Sequence, residues 1–267
     1  LESQLRYISH YPDATNDDIL NAIADIYGMN KNQIVVGNGA AELLYAICRL
    51  PGYTGAFVPA PGFSEYKAAL EASRIPVRDI YYRPREDEHG KPYFEVPYLA
   101  LETFAAELKG QDGRIIVFLG NPNNPDGTLL DKNHIRTIAS MLKDANSLLV
   151  IDESFIDFVG NDTLQDNEYS MRSLVNEFDN IIVVHSFTKF YAVPGLRIGA
   201  AFSNPLIIEQ LNSFIPTWSV NTLAQSYTEA ALNDVEYVKR TKQVLHEEQL
   251  FMYNSLDTID GITIYPP

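Results

Sequence analysis

Residues 132–155, KNHIRTIASMLKDANSLLVIDESF, carry the clearest statement of fold class in the chain. They read as a helix over Lys132–Asp144, then an apolar strand over Leu148–Ile151, then two acids, Asp152 and Glu153, at the strand's end. The same alternation runs outward toward the N-terminus. An amphipathic helix capped at Asn16 ends at Gly28, and strand Gln33–Val36 and a helix from Gly39 to Leu50 follow it. Next come strand Gly55–Val58, helix Phe63–Ala72, strand Ile75–Tyr82, helix Tyr98–Leu108 and strand Arg114–Leu119. Such alternation builds an α/β fold with a mainly parallel sheet covered by helices. Toward the C-terminus, strands Ile181–Val184 and Leu196–Phe202 are joined by too little chain for a parallel crossover, so one antiparallel strand is expected. Residues 205–256 read as helical, with Leu245, Phe251 and Leu256 on the packed face of a long helix. The polar, Pro-containing segment Arg83–Val96 reads as a surface excursion.

The chain has 267 residues, enough for one large core and part of a second. The expected division is an N-terminal segment with the first helix (residues 1–30), a large domain (31–215) and helices leading into a smaller domain (216–267). Twenty basic against 35 acidic residues give a net charge of −15, which disfavours nucleic acid and anionic lipid surfaces. An anionic ligand must therefore be held by a local site. No apolar run is long enough to span a bilayer. The single cysteine, Cys48, lies in an apolar helical run and reads as a buried small side chain, which suits a reducing cytoplasm. The opening at Leu1, the lack of a signal-peptide pattern, and the stop at Pro266-Pro267 just after the strand-like Ile262–Tyr265 suggest a chain without its natural ends.

In an open α/β sheet the ligand crevice lies beyond the carboxyl ends of the strands, so those junctions hold the candidate chemistry. Gly37-Asn38-Gly39-Ala40-Ala41 joins a strand to a helix and offers free backbone N–H groups to a phosphate; a plain tight turn and a dinucleotide site are the rival readings. Against the dinucleotide site, strand Gly55–Val58 ends in Pro59-Ala60-Pro61 rather than in an acid for the ribose hydroxyls. Asp152 needs a cationic or hydrogen-bonding partner at the end of a buried strand, and a protonated ring nitrogen, a helix cap or a salt bridge would each serve. A metal site there would recruit Glu153 and Asp157, but the five histidines are scattered without ligand spacing. Lys189 sits in sequence among Phe187, Phe190 and Tyr191, a setting expected to lower an ammonium pKa and favour a nucleophilic amine. Ser186, Thr188 and Arg197 beside it are phosphate-type ligands.

Asn124-Pro125, Asp152-Glu153, Ser186-Phe187-Thr188-Lys189 and Gly195-Leu196-Arg197-Ile198-Gly199 together resemble the fold-type I aminotransferase superfamily. Through Ser186–Arg197 and Trp218-Ser219-Val220-Asn221 the chain is similar to the histidinol-phosphate aminotransferase branch, and more so to the threonine-phosphate decarboxylases of cobalamin side-chain synthesis. The resemblance implies a three-layer α/β/α fold with a smaller C-terminal domain largely beyond this chain, and pyridoxal 5′-phosphate as cofactor. It implies Lys189 as the lysine joined to the cofactor, Asp152 on its ring nitrogen, Asn124 on its ring oxygen and Phe63 stacked on its ring. Gly39, Ala40, Ala41, Ser186, Thr188 and Arg197 are implied as the phosphate ligands. Tyr11, in Tyr11-Pro12-Asp13, matches a tyrosine that reaches the neighbouring subunit's cofactor, which implies a homodimer with shared sites. Phe155 departs from the tyrosine usual in histidinol-phosphate aminotransferases and resembles the decarboxylases. The expected reaction is decarboxylation of threonine phosphate to aminopropanol phosphate, with transamination of histidinol phosphate or an aromatic amino acid as the alternative. A cofactor-binding regulatory domain and a nicotinamide oxidoreductase are weaker readings.

Overall fold

The computed structural model describes residues 2–108, 113–160, 164–165 and 167–265. Seven strands form one sheet in the order β1-β9-β8-β7-β6-β2-β3. They are β1 (Ile34–Gly37), β2 (Tyr53–Ala60), β3 (Val77–Tyr81), β6 (Arg114–Gly120), β7 (Leu148–Asp152), β8 (Ile181–Ser186) and β9 (Gly199–Phe202). Strand β9 runs antiparallel to both β8 and β1, while β2, β3, β6, β7 and β8 pair in parallel, so the single reversed strand falls where the short connection placed it.

The central strands are buried on both sides, and their side chains divide by the two-residue period of a strand. Val117, Leu119, Leu149, Ile151, Ile181 and Val183 join the core on one face. Ile116, Phe118, Leu148, Val150, Ile182 and Val184 join the core on the other. Helices cover both faces: α1 (Asp17–Tyr27), α4 (Tyr98–Leu108), α5 (Lys132–Asp144) and α8 (Thr222–Leu232) contribute to the first core, and α2 (Ala40–Ile47), α3 (Ser64–Ala72) and α7 (Pro205–Phe214) to the second. In α5, Ile135, Ile138, Ala139 and Leu142 form the buried stripe, and the Asp131 carboxylate accepts from the backbone N–H groups of Asn133 and His134 at 2.9 Å. Helix α1 buries Ile19, Ile23 and Tyr27 at four-residue spacing and stops at Gly28 in the left-handed conformation.

Three expectations change. Arg83–Val96 is an ordered antiparallel hairpin, β4 (Arg83–Glu86) with β5 (Pro92–Glu95); β4 is exposed throughout, and β5 packs Phe94 against the first core, so two such short strands carry no alternating apolar signal. In the long helix α9 (Val235–Leu256), Phe251 is 67% exposed, because the packed face follows Val238 and Lys242 on to the half-buried Leu245, Gln249, Tyr253 and Leu256. Residues 262–265 form no strand, and Pro266-Pro267 lie outside the described residues. Cys48 is buried as expected, and burial pushes its thiol up to about 12. Among the described residues no helix is long and apolar enough to cross a membrane.

Candidate active site

Strand register assembles the site before any side chain does. Gly120 pairs with Asp152 across β6 and β7, and Ser186 with Gly199 across β8 and β9. Gly199 pairs in turn with Gly37 on β1. The carboxyl ends of β1, β6, β7 and β8 therefore meet in one row, and small residues there leave room for a ligand.

Phe63, Tyr66, Pro122, Asn124, Asp152, Ser154, Phe155 and Lys189 line a single cleft. Asp152 ends β7, is 6% exposed, and accepts two hydrogen bonds: Ser154 N–H to Oδ1 at 2.9 Å and Tyr66 O–H to Oδ2 at 2.9 Å. Lys189 lies in α6 (Phe187–Phe190), directly after β8. Its apolar neighbours in sequence, Phe187, Phe190 and Tyr191, turn into the core, while Lys189 itself is exposed. The aromatic that approaches its amine is Phe155, whose ring centre lies 6.0 Å from Nζ. The expected apolar shell is therefore under the lysine rather than around it, because one turn of helix sends neighbouring side chains in different directions.

The glycine-rich turn and the lysine segment form a second cluster beside the cleft. Ser186 and Thr188 are buried with their hydroxyls 2.8 Å apart. Gly39 has φ +82°, and a Cβ there would lie 2.3 Å from Arg197 Nη2, so glycine is what lets the guanidinium approach the N-terminus of α2. A Cβ on Gly199 would lie 2.6 Å from the backbone nitrogen of Ala40. The structure thus brings Gly39, Ala40, Ser186, Thr188 and Arg197 around one corner, with Ala41 next in the same helix turn. The Trp218–Asn221 segment is tied to this corner. Glu42 accepts from the Ser219 hydroxyl and, at 2.6 Å, from Asn38 N–H, and the Asn221 amide donates to Leu196 O at 2.9 Å.

Tyr11 stands apart from the cleft. It is 78% exposed and stacks on Trp218 with ring centres 4.3 Å apart. The Gln225 amide holds this segment to α8 by donating to Asp13 O at 3.1 Å and Asn16 Oδ1 at 2.9 Å.

Two features were not anticipated from the sequence. Tyr66 is one; it lies fully buried against Phe118, and burial first, then the Asp152 charge, push its hydroxyl pKa well above the usual tyrosine value. The other is a buried polar network behind the cleft. Glu153 accepts from Ser170 O–H at 2.6 Å, Met171 N–H at 2.5 Å and the Asn121 amide at 3.1 Å, with Arg172 Nη1 at 3.6 Å. Nearby, Asp157 Oδ2 accepts from Tyr27 O–H at 2.8 Å and lies 3.0 Å from His185 Nε2. Burial opposes the Asp157 charge, but His185, Arg172 and the Tyr27 hydroxyl outweigh it and hold its pKa below the ordinary carboxylate value. No group of three or more His, Cys, Asp or Glu side chains that could hold a metal ion occurs among the described residues. Larger grooves of about 840 and 700 Å³ flank the β4–β5 hairpin but hold none of the residues that converge in the cleft.

The sequence model of the family described as aminotransferase class I and II matches residues 3–267. The adenosylcobalamin biosynthesis bifunctional protein CobDQ of Leptospira interrogans is 34% identical over 244 residues, which cover 91% of this chain and 26% of that protein. The threonine-phosphate decarboxylase of Salmonella typhimurium is 31% identical over 272 residues, covering all of this chain and 68% of the relative. Among solved structures, the histidinol-phosphate aminotransferase of Clostridium acetobutylicum superposes with a TM-score of 0.81 at 21% identity, over 99% of this chain and 74% of that one. The chain thus spans about a quarter of the bifunctional relative and about two thirds of the Salmonella enzyme.

Proposed function

Since this chain belongs to the class I and II aminotransferase family, whose cofactor is pyridoxal 5′-phosphate, we propose that it is the cofactor-binding part of a threonine-phosphate decarboxylase. The observation that carries the reading is the meeting of the Lys189 amine and the Asp152 carboxylate in one cleft, beside a corner lined by Gly39, Ser186, Thr188 and Arg197. That donor set fits the cofactor's chemistry. Two hydroxyls, a guanidinium and the backbone at the start of α2 would take its phosphate, and a buried carboxylate would face its ring nitrogen.

When bound, the cofactor supplies an electron sink for breaking a bond to an amino acid's α-carbon. The chain's own residues do the rest. Asp152, anchored from both oxygens, would keep a proton on the ring nitrogen. Asn124 would meet the ring oxygen, and Phe63 would lie against the ring's face. Phe155 offers no hydroxyl to that ring oxygen. Lys189, exposed on a flexible stem, would take up or return a proton at the α-carbon. The exposed Tyr11 would serve the site of a second copy, making the enzyme a homodimer.

The decarboxylase reading draws support from the 31% identity to the Salmonella enzyme and from Phe155 and Trp218. Incubating the full-length protein with pyridoxal phosphate and carboxyl-labelled threonine phosphate tests it. Release of labelled CO₂ is expected. Glutamate formed from 2-oxoglutarate and histidinol phosphate, without CO₂ from threonine phosphate, would replace this reading with an aminotransferase.

A further inference from the structure

Tyr66 belongs to none of the motifs that mark the cleft, yet it is the side chain that touches Asp152. We propose that Tyr66 is a positioning residue that aims the Asp152 carboxylate at the cofactor's ring nitrogen, an inference that rests on the role given to Asp152 above.

The two oxygens of Asp152 are held by different elements. Ser154 N–H, two residues on from the strand end, holds Oδ1, and the Tyr66 hydroxyl, from α3, holds Oδ2. A carboxylate oxygen accepts about two hydrogen bonds, so each oxygen keeps a lone pair for the cleft while the carboxylate plane is fixed from behind. Tyr66 cannot swing away. Its ring stacks on Phe118 at 5.3 Å between centres and meets Phe63 edge-on at 5.6 Å. Its hydroxyl stays protonated and remains a donor throughout the working pH range. Phe63 and Tyr66 sit three residues apart at the start of α3, so a single helix turn carries both the residue for the ring's face and the buttress for the ring nitrogen's partner. Without the Tyr66 donor, a carboxylate that is 6% exposed would keep only one backbone donor and be free to rotate.

The test compares pyridoxal phosphate with its 1-deaza analogue, which has carbon where the ring nitrogen should be and cannot engage Asp152. Dissociation constants of both are measured on apo-protein of the wild type, Tyr66→Phe and Tyr82→Phe. Tyr82 is a useful control because it is a buried tyrosine whose hydroxyl has no hydrogen-bond partner among the described residues. The Phe variant at 66 keeps the contacts with Phe118 and Phe63. The wild type should prefer pyridoxal phosphate, and Tyr66→Phe should lose about tenfold of that preference while binding the analogue within about twofold of wild type. Tyr82→Phe should keep the preference. A Tyr66→Phe protein with the full preference, or with equal losses for both compounds, would overturn the positioning role. A wild type without any preference would instead remove the Asp152 assignment on which the role depends.

Discussion

The cleft and the network behind it are built from the same dipeptides and have opposite characters. At the end of β7, Asp152 faces the cleft while Glu153 turns away to be fully buried among Ser170, Met171, Asn121 and Arg172. At the end of β8, Ser186 joins Thr188 in the corner beside the cleft while His185 turns to Asp157 and Tyr27. The two-residue period of a strand thus gives each strand end one group for the ligand and one for the protein. Asp152 meets one backbone and one side-chain donor beside the cleft, whereas behind it Glu153 accepts from three donors and Asp157 is held by Tyr27 and His185. Catalysis should therefore fail when the front is altered, and stability when the back is.

The largest effect that would break this division concerns Lys189. Lys189→Ala should abolish the yellow absorbance of the lysine-linked cofactor and lower turnover by at least about 10³-fold, with a melting temperature of the apo-protein like that of wild type. A variant that turned over normally would remove Lys189 from the chemistry. Behind the cleft the expectation reverses. Glu153→Ala removes the acid 3.6 Å from Arg172, which is 3% exposed, and leaves Ser170 O–H, Met171 N–H and the Asn121 amide without that acceptor, and should cost about 3–5 kcal/mol in denaturant unfolding. A loss under about 1 kcal/mol would mean that the network does not hold the strand ends together.

The same division explains what the sequence made legible. The mainly parallel sheet, the reversed strand β9, and Asp152 and Lys189 beyond strand ends follow from apolar runs and from the polar groups that end them. Tyr66 was hidden because it looks like any aromatic on an amphipathic helix, and its partner lies 86 positions away. Ser170 follows a turn and Arg172 opens a short 3-10 helix, Arg172–Asn176, too brief to show periodicity, so nothing local marks them as partners of Glu153. Arg83–Val96 reads as an excursion because its two strands are only four residues long and β4 is exposed throughout, with Phe94 of β5 packing on the core. Patterns of burial can be seen in a sequence, whereas pairings between distant polar groups cannot.

A smaller and pH-dependent effect belongs to Asp157. Its pKa in the folded protein is below the ordinary carboxylate value, so the stability it contributes is complete above that value, near pH 4, and is lost as pH falls through the lowered one. Asp157→Asn should therefore cost about 1.5–3 kcal/mol at pH 6 and progressively less as the pH is lowered toward 3. Urea unfolding at both pH values measures this. A penalty that is the same at pH 3 and pH 6 would show that the charge of Asp157 is not what stabilises the fold.

The smallest effect asks whether the two regions communicate. Tyr27→Phe removes one donor from Asp157 Oδ2 but leaves His185 Nε2 at 3.0 Å, and leaves the ring on which the Arg172 guanidinium rests at 4.2 Å. The cost should be about 1 kcal/mol, that of a single buried hydrogen bond. Because His185 adjoins Ser186 in β8, any strain from this loss would reach the corner proposed for the cofactor phosphate through one peptide unit. If the back of the site only supports the fold, cofactor affinity in Tyr27→Phe stays within about twofold of wild type, since a well-packed sheet end does not shift for so small a change. A tenfold loss of affinity with the same 1 kcal/mol of stability would mean that the network sets the geometry of the cleft, and the division between front and back would have to be abandoned.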